Sequence, residues 1–137
     1  MKNSLLLIMT VLALSGCCNC GQRYAAPFTA TRWQLQQVDG HNVTVKLQGD
    51  EIPFVVFGSD GRFNGSGGCN RIGGDYSKGK DGSIAFQNVL STKMYCPNDD
   101  VELQFLEVLN SVDSYSIDGI YLYLYSNGTL KAVLLKQ

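Results

Sequence analysis

The sequence predicts an α+β domain: a curved, largely antiparallel sheet with one helix lying across it. Three observations carry this. Five turn dipeptides (Asp39-Gly40, Asp60-Gly61, Asp81-Gly82, Asp118-Gly119 and Asn127-Gly128) punctuate the 137 residues. The segments between them are short and rich in β-branched and aromatic residues, as strands are. A single segment, from Asn98 to Tyr115, switches to helical spacing. Asp-Gly and Asn-Gly suit two-residue hairpin turns because both central residues of a type I′ turn need positive φ.

The elements follow in order. "WQLQQV" starts the fold at Trp33, and "VTVKL", "FVVF" and "SIAF" supply further strands. "NDDVELQFLEVLNSVDSY" then carries the stripe Val101, Phe105, Val108, Leu109 and Val112, which predicts a helix over about 98–112. Asp99 is its candidate N-cap, and Glu102 three residues on completes a capping box. Asp99, Asp100 and Glu102 also set negative charge at the positive end of the helix dipole. "YSIDGIYLYLYSNGTLKAVLLK" reads as three closing strands joined by two turns. Tyr121, Tyr123 and Tyr125 alternate with Leu122 and Leu124, so one face is tyrosine and the other leucine.

Composition bounds the function. Apolar residues are 45% and charged residues 17%, which suits a folded chain. Eleven basic against twelve acidic residues give a net charge of −1, and no basic run appears. The electrostatic footprint of a nucleic-acid binder is therefore missing. The first residues differ from the rest. Lys2 precedes an apolar run, Leu5 to Leu14, too short for a bilayer span of about 20 residues and typical of a secretory signal. Leu14-Ser15-Gly16-Cys17 resembles the lipobox of bacterial lipoproteins, which implies cleavage before Cys17 and a diacylglycerol on its thiol. The expected division is a signal peptide at 1–16, a lipid-anchored tether at 17–30 and a domain at 31–137. Cys18, rather than aspartate, follows the lipidated residue. In enteric-type bacteria this implies passage to the outer membrane, facing the periplasm.

Gly61 to Tyr76, "GRFNGSGGCNRIGGDY", holds six glycines and a cysteine. It is not a phosphate loop. "GDYSKGKD", from Gly74, fits seven positions of G-x-x-x-x-G-K-[ST], but the eighth is Asp81, which repels phosphate and cannot serve the metal. The segment after it, "SIAFQ", is strand-like where a helix is needed. The dinucleotide pattern fails at Asn70. Cys69 as a nucleophile needs a base or a positive neighbourhood. The single histidine, His41, sits in the turn "DGHN" and is simply read as solvated. A Cys69–Cys96 disulfide suits an exported chain better, the alternative being two separate buried thiols.

The run Gly61-Arg62-Phe63-Asn64-Gly65-Ser66-Gly67-Gly68-Cys69-Asn70, with Gly74 and Tyr76, resembles the signature of the META/HslJ family. Thr92, Met94 and Cys96, then Glu102, Phe105, Leu106 and Leu109, resemble its second block, and Trp33 and Leu35 its opening. Tyr95 departs from the small residues common there. The resemblance covers about residues 33–135. It implies a compact α+β domain with a curved, largely antiparallel sheet, a partly closed barrel, and one helix. It also implies an envelope protein linked to heat shock, drug tolerance or motility, with no established chemistry. The glycine segment is then architecture, in which Asn64 and Asn70 satisfy turn backbone through their amides.

Cys18 and Cys20 in "CCNC" make a poor metal site, since zinc prefers four ligands. Asp99 and Asp100 are explained by capping rather than catalysis. Tyr121, Tyr123 and Tyr125 form a possible binding face. The expectation is a lipid-anchored, non-enzymatic envelope protein that binds or stabilises a partner, with no cofactor. The alternative is a small-ligand or metal-binding periplasmic lipoprotein.

Overall fold

A computed structural model describes residues 24–44, 51–97 and 99–137. The signal peptide, Cys17, Cys18 and Cys20 lie outside the described residues. Nine strands and one helix are found among those described: β1 Arg32–Val38, β2 His41–Asn42, β3 Phe54–Phe57, β4 Arg62–Ser66, β5 Arg71–Lys78, β6 Ile84–Ser91, α1 Asp100–Ser111, β7 Ser114–Asp118, β8 Tyr121–Ser126 and β9 Thr129–Lys136. The sheet runs β6-β5-β4-β3-β1-β9-β8-β7, with β2 paired to β1. Its strand pairs are antiparallel. The sheet curls into a half-barrel, and its two edge strands approach at one corner, where Ser83 bridges Ser114. The helix α1 packs against β6, β1 and β9. The α+β class, the curved antiparallel sheet and the single helix are as the sequence predicts.

Period-two alternation decides what faces inward. Trp33 and Leu35 on β1, Val55 and Phe57 on β3, and Leu122 and Leu124 on β8 are all buried, and a bulge between Leu35 and Gln37 shifts the period so that Val38 is buried too. Phe105, Val108 and Leu109 of α1 complete the core. Each such large side chain withdrawn from water contributes roughly 1.5–3 kcal/mol. Trp33 also satisfies its polar atom, donating from Nε1 to the Phe28 carbonyl at 2.9 Å.

The turns divide by mechanism. Asp39-Gly40 and Asn127-Gly128 have positive φ at both residues, as a type I′ turn requires. At Asp60-Gly61, Asp81-Gly82 and Asp118-Gly119 only the glycine does. There Asp60 Oδ1 accepts the Arg62 N–H and Asp81 Oδ1 accepts the Ser83 N–H, both at 3.1 Å. These are Asx turns, in which the carboxylate stands in for a backbone acceptor. The expected strand "VTVKL" does not begin at Val43 or Thr44, which lie outside strands. Its remaining residues lie outside the described ones.

Two expectations are corrected. The fold begins before Trp33. Ala26 and Phe28, assigned to the tether from their lack of period, are 3% and 8% exposed. The Ala26 N–H donates to the Gly119 carbonyl at 2.8 Å, and the Ala30 N–H to the Phe57 carbonyl at 2.9 Å. Residues 25–30 thus cross from the β7–β8 turn to β3. Second, α1 spans Asp100–Ser111, and Asp99 makes no side-chain capping bond. Glu102 is turned inward instead of back on the helix start.

Phe28 closes the gap between the two wings of the sheet. It stacks on Phe57, with ring centroids 4.3 Å apart, and tilts against Tyr76 and Tyr115. The Tyr76 hydroxyl donates to the Gly58 carbonyl at 2.6 Å. Burial, with a smaller push from Asp60, raises the Tyr76 phenol above its ordinary 10.0. The folded state then keeps a proton that the unfolded chain releases. This contribution is fully present below pH 10.0 and is lost as pH rises through the folded value. Thermal melts should therefore show a steeper alkaline decline above pH 10.0 in the parent than in Tyr76→Phe. Parallel declines would exclude Tyr76 as the source.

Candidate functional site

Cys69 and Asn70 of the glycine segment and Thr92, Met94, Cys96 and Glu102 of the second block converge on one point. β4 and β5 are joined by Gly67-Gly68-Cys69-Asn70. This turn is closed by the Gly67 N–H on the Asn70 carbonyl (2.8 Å) and the Gly68 N–H on Ser66 Oγ (3.1 Å). Glu102, in the first turn of α1 and only 4% exposed, points into it. Its Oε2 accepts the N–H groups of Cys69 (3.2 Å) and Asn70 (2.7 Å), and its Oε1 accepts Asn70 Nδ2 (2.7 Å). A carboxylate out of water needs such donors, because a buried charge without partners is costly.

Asn70 carries the knot onward. Its Oδ1 accepts from Thr92 Oγ1 and from the Met94 N–H, both at 2.8 Å. Thr92 Oγ1 in turn accepts the Arg71 N–H at 3.1 Å. Cys69 and Cys96 are joined by a disulfide, with Cα atoms 6.3 Å apart. A turn, the chain after β6 and the start of α1 are thereby tied together. Gly67 is what permits the approach. A Cβ there would lie 2.5 Å from Glu102 Cγ and 2.6 Å from Oε2. Every buried side-chain polar atom among the described residues has a partner.

The other motif residues lie elsewhere. Gly61 accepts the Tyr76 N–H at the β4–β5 margin. Asn64 is not a turn residue. It sits outward on β4, paired with Val56 and Gly73, and so does not satisfy turn backbone as Asn70 does. Gly65 faces Val55 across the β3–β4 pair, and Gly74 lies at the β5–β6 bulge. Gly68 takes a φ of +123°. Met94 contributes only backbone to the knot, leaving its side chain exposed.

The tyrosine row is separate from the knot. Leu122 and Leu124 enter the core, so Tyr121, Tyr123 and Tyr125 face outward. Tyr121 and Tyr123 have ring centroids 6.2 Å apart. Together with Gln37, Val43, Leu130 and Val133 they line an open depression of about 580 Å³. Among the described residues, no group of three or more His, Cys, Asp or Glu is placed to hold a metal.

The model of the META domain matches residues 26–137. The chain belongs to the META domain family. The match begins at Ala26, where the chain enters the core, and includes every residue of the knot. Two solved structures share the META fold seen here. An NMR structure of a protein from Burkholderia xenovorans has a TM-score of 0.63 and 23% identity, covering 80% of this chain and 83% of that one. A crystal structure of a DUF4847 family protein from Bacteroides vulgatus has a TM-score of 0.56 and 22% identity, covering 80% and 93%. No curated protein matches in sequence. In this META domain the family motif is a structural tie between sheet and helix.

Proposed function

We propose that this META-domain protein is a lipid-anchored, non-enzymatic part of the bacterial cell envelope that binds or stabilises an envelope protein, in the context of stress tolerance. The observation that carries the reading is the division of labour in the fold. The Asn70, Thr92 and Glu102 side chains are engaged with one another. The tyrosine face and its open depression are turned to solvent. Exposed tyrosines beside apolar side chains are suited to protein interfaces, since each supplies a large rigid ring and a polar tip. The sequence Leu14-Ser15-Gly16-Cys17 supports the anchor, and the envelope setting and stress role rest on the family resemblance.

Cys17→Ser is expected to release the protein from membranes or to block its processing. Normal retention in the membrane fraction would rule out lipidation at Cys17. A photo-crosslinking group at position 123 should capture one discrete envelope protein in intact cells, with the same group at Leu103 on α1 as control. Equal capture at both positions, or none, would exclude the tyrosine face as the partner surface.

A further inference from the structure

The point where the chain enters the fold is surrounded by side chains suited to a lipid surface. We infer that this end of the domain rests on the bilayer, with Tyr24 and Ile120 in the headgroup region and Tyr121 at its margin, where the tyrosine face begins. The inference rests on lipidation at Cys17. Only seven peptide steps separate Cys17 from Tyr24. Even fully extended, they reach about 25 Å. That is less than the roughly 35 Å diameter of a globule of this length. An anchored domain is therefore held close to the bilayer by the end from which the chain emerges.

That end has a defined composition. Tyr24 is 61% exposed, Ile120 43% and Tyr121 39%. Their backbone positions are neighbours in the fold. Ala25 bridges Gly119, the Lys136 N–H donates to the Ile120 carbonyl at 2.9 Å, and Tyr121 faces Leu135 across β8 and β9. Lys136 Nζ donates to the Tyr24 hydroxyl at 2.9 Å. Tyrosines with a polar tip and an apolar body, beside a lysine, are the side chains enriched at membrane–water interfaces. Charge adds little here. Asp118 lies beside Tyr121 in the β7–β8 register, and the nearby Arg32 is paired with Glu51 at 2.8 Å. Contact is therefore carried by the aromatic and aliphatic groups and should depend weakly on salt. The opposite end of β1 is different. Val38 pairs with the exposed His41, about 17 Å along the strand from Trp33 and Lys136.

The test uses the full lipidated protein in vesicles of phosphatidylethanolamine and phosphatidylglycerol, with a fraction of the acyl chains brominated to quench indole. Two variants each add one tryptophan, Ile120→Trp and His41→Trp. Trp33 is fully buried and gives a common background. Ile120→Trp should lose roughly half of the added emission on brominated vesicles, and His41→Trp almost none. Because both variants carry the same indole, tryptophan's own liking for interfaces cannot produce the difference. Protein that floats with the vesicles but shows equal quenching, or none, at both positions overturns the orientation and leaves the anchor standing. Protein that does not float overturns both.

Discussion

Glu102→Ala is expected to lower stability by about 3–5 kcal/mol, because it strands two buried donors and a part-buried one at once. These are the N–H groups of Cys69 and Asn70 and the Asn70 side-chain amide. Domains of this size are stable by only about 5–15 kcal/mol, so the variant sits near its unfolding threshold. Its midpoint should fall by roughly 10–20 °C. Glu102→Gln keeps the shape but turns an amide donor toward a donor, so its loss should be smaller. Thermal and urea melts of the Cys17→Ser protein would measure both. A loss below about 1 kcal/mol for alanine would show that the knot does not hold the helix to the sheet.

Removing the disulfide is the second large effect. Cys69 and Cys96 are 27 positions apart. In the chain-entropy account, closing such a loop stabilises by about 3.5 kcal/mol. Cys69→Ser with Cys96→Ser should lose about that much. Peptide mapping without reduction should recover the two cysteines linked. Alkylation of both in the folded, unreduced protein would refute the pairing. Adding Glu102→Ala to the serine pair should cost less than the sum of the two losses. The disulfide holds the 92–97 segment, and Glu102 the start of α1, to the same Cys69-Asn70 turn, so cutting the second releases less once the first is gone.

The sheet was legible because its signals are local. Alternation in Tyr121 to Tyr125 separated a leucine face from a tyrosine face, which the structure turns leucine-inward, and Asn127-Gly128 marked a hairpin from its dipeptide alone. The tether boundary was not legible. Ala26 and Phe28 are buried by partners far along the chain, at Gly119 and Phe57, and make no period of their own. Glu102 was misread for a related reason. Its place three residues after Asp99 is a local signal for a cap. Its place three and seven residues before Phe105 and Leu109 puts it on the buried face of the helix. A carboxylate in that stripe requires donors, and here they are supplied by the Cys69-Asn70 turn, more than 30 residues away. Tertiary demand overrode the cap. That demand also explains why the turn holds a glycine at 67, where any side chain would displace the carboxylate.

The strand order has a kinetic consequence. β1 is flanked by β3 and β9, so the first long strand to emerge waits for the last. Trp33 meets Lys136 across that pair, about 100 residues apart, and contacts this distant in sequence make for slow folding. A nascent chain lacking β9 exposes the pairing edge of β1 and the apolar inner faces of its neighbours. That edge and those faces stay uncovered until β9 is available. The topology thus makes closure of the sheet around β1 the late step, because it waits for the strand furthest along the chain.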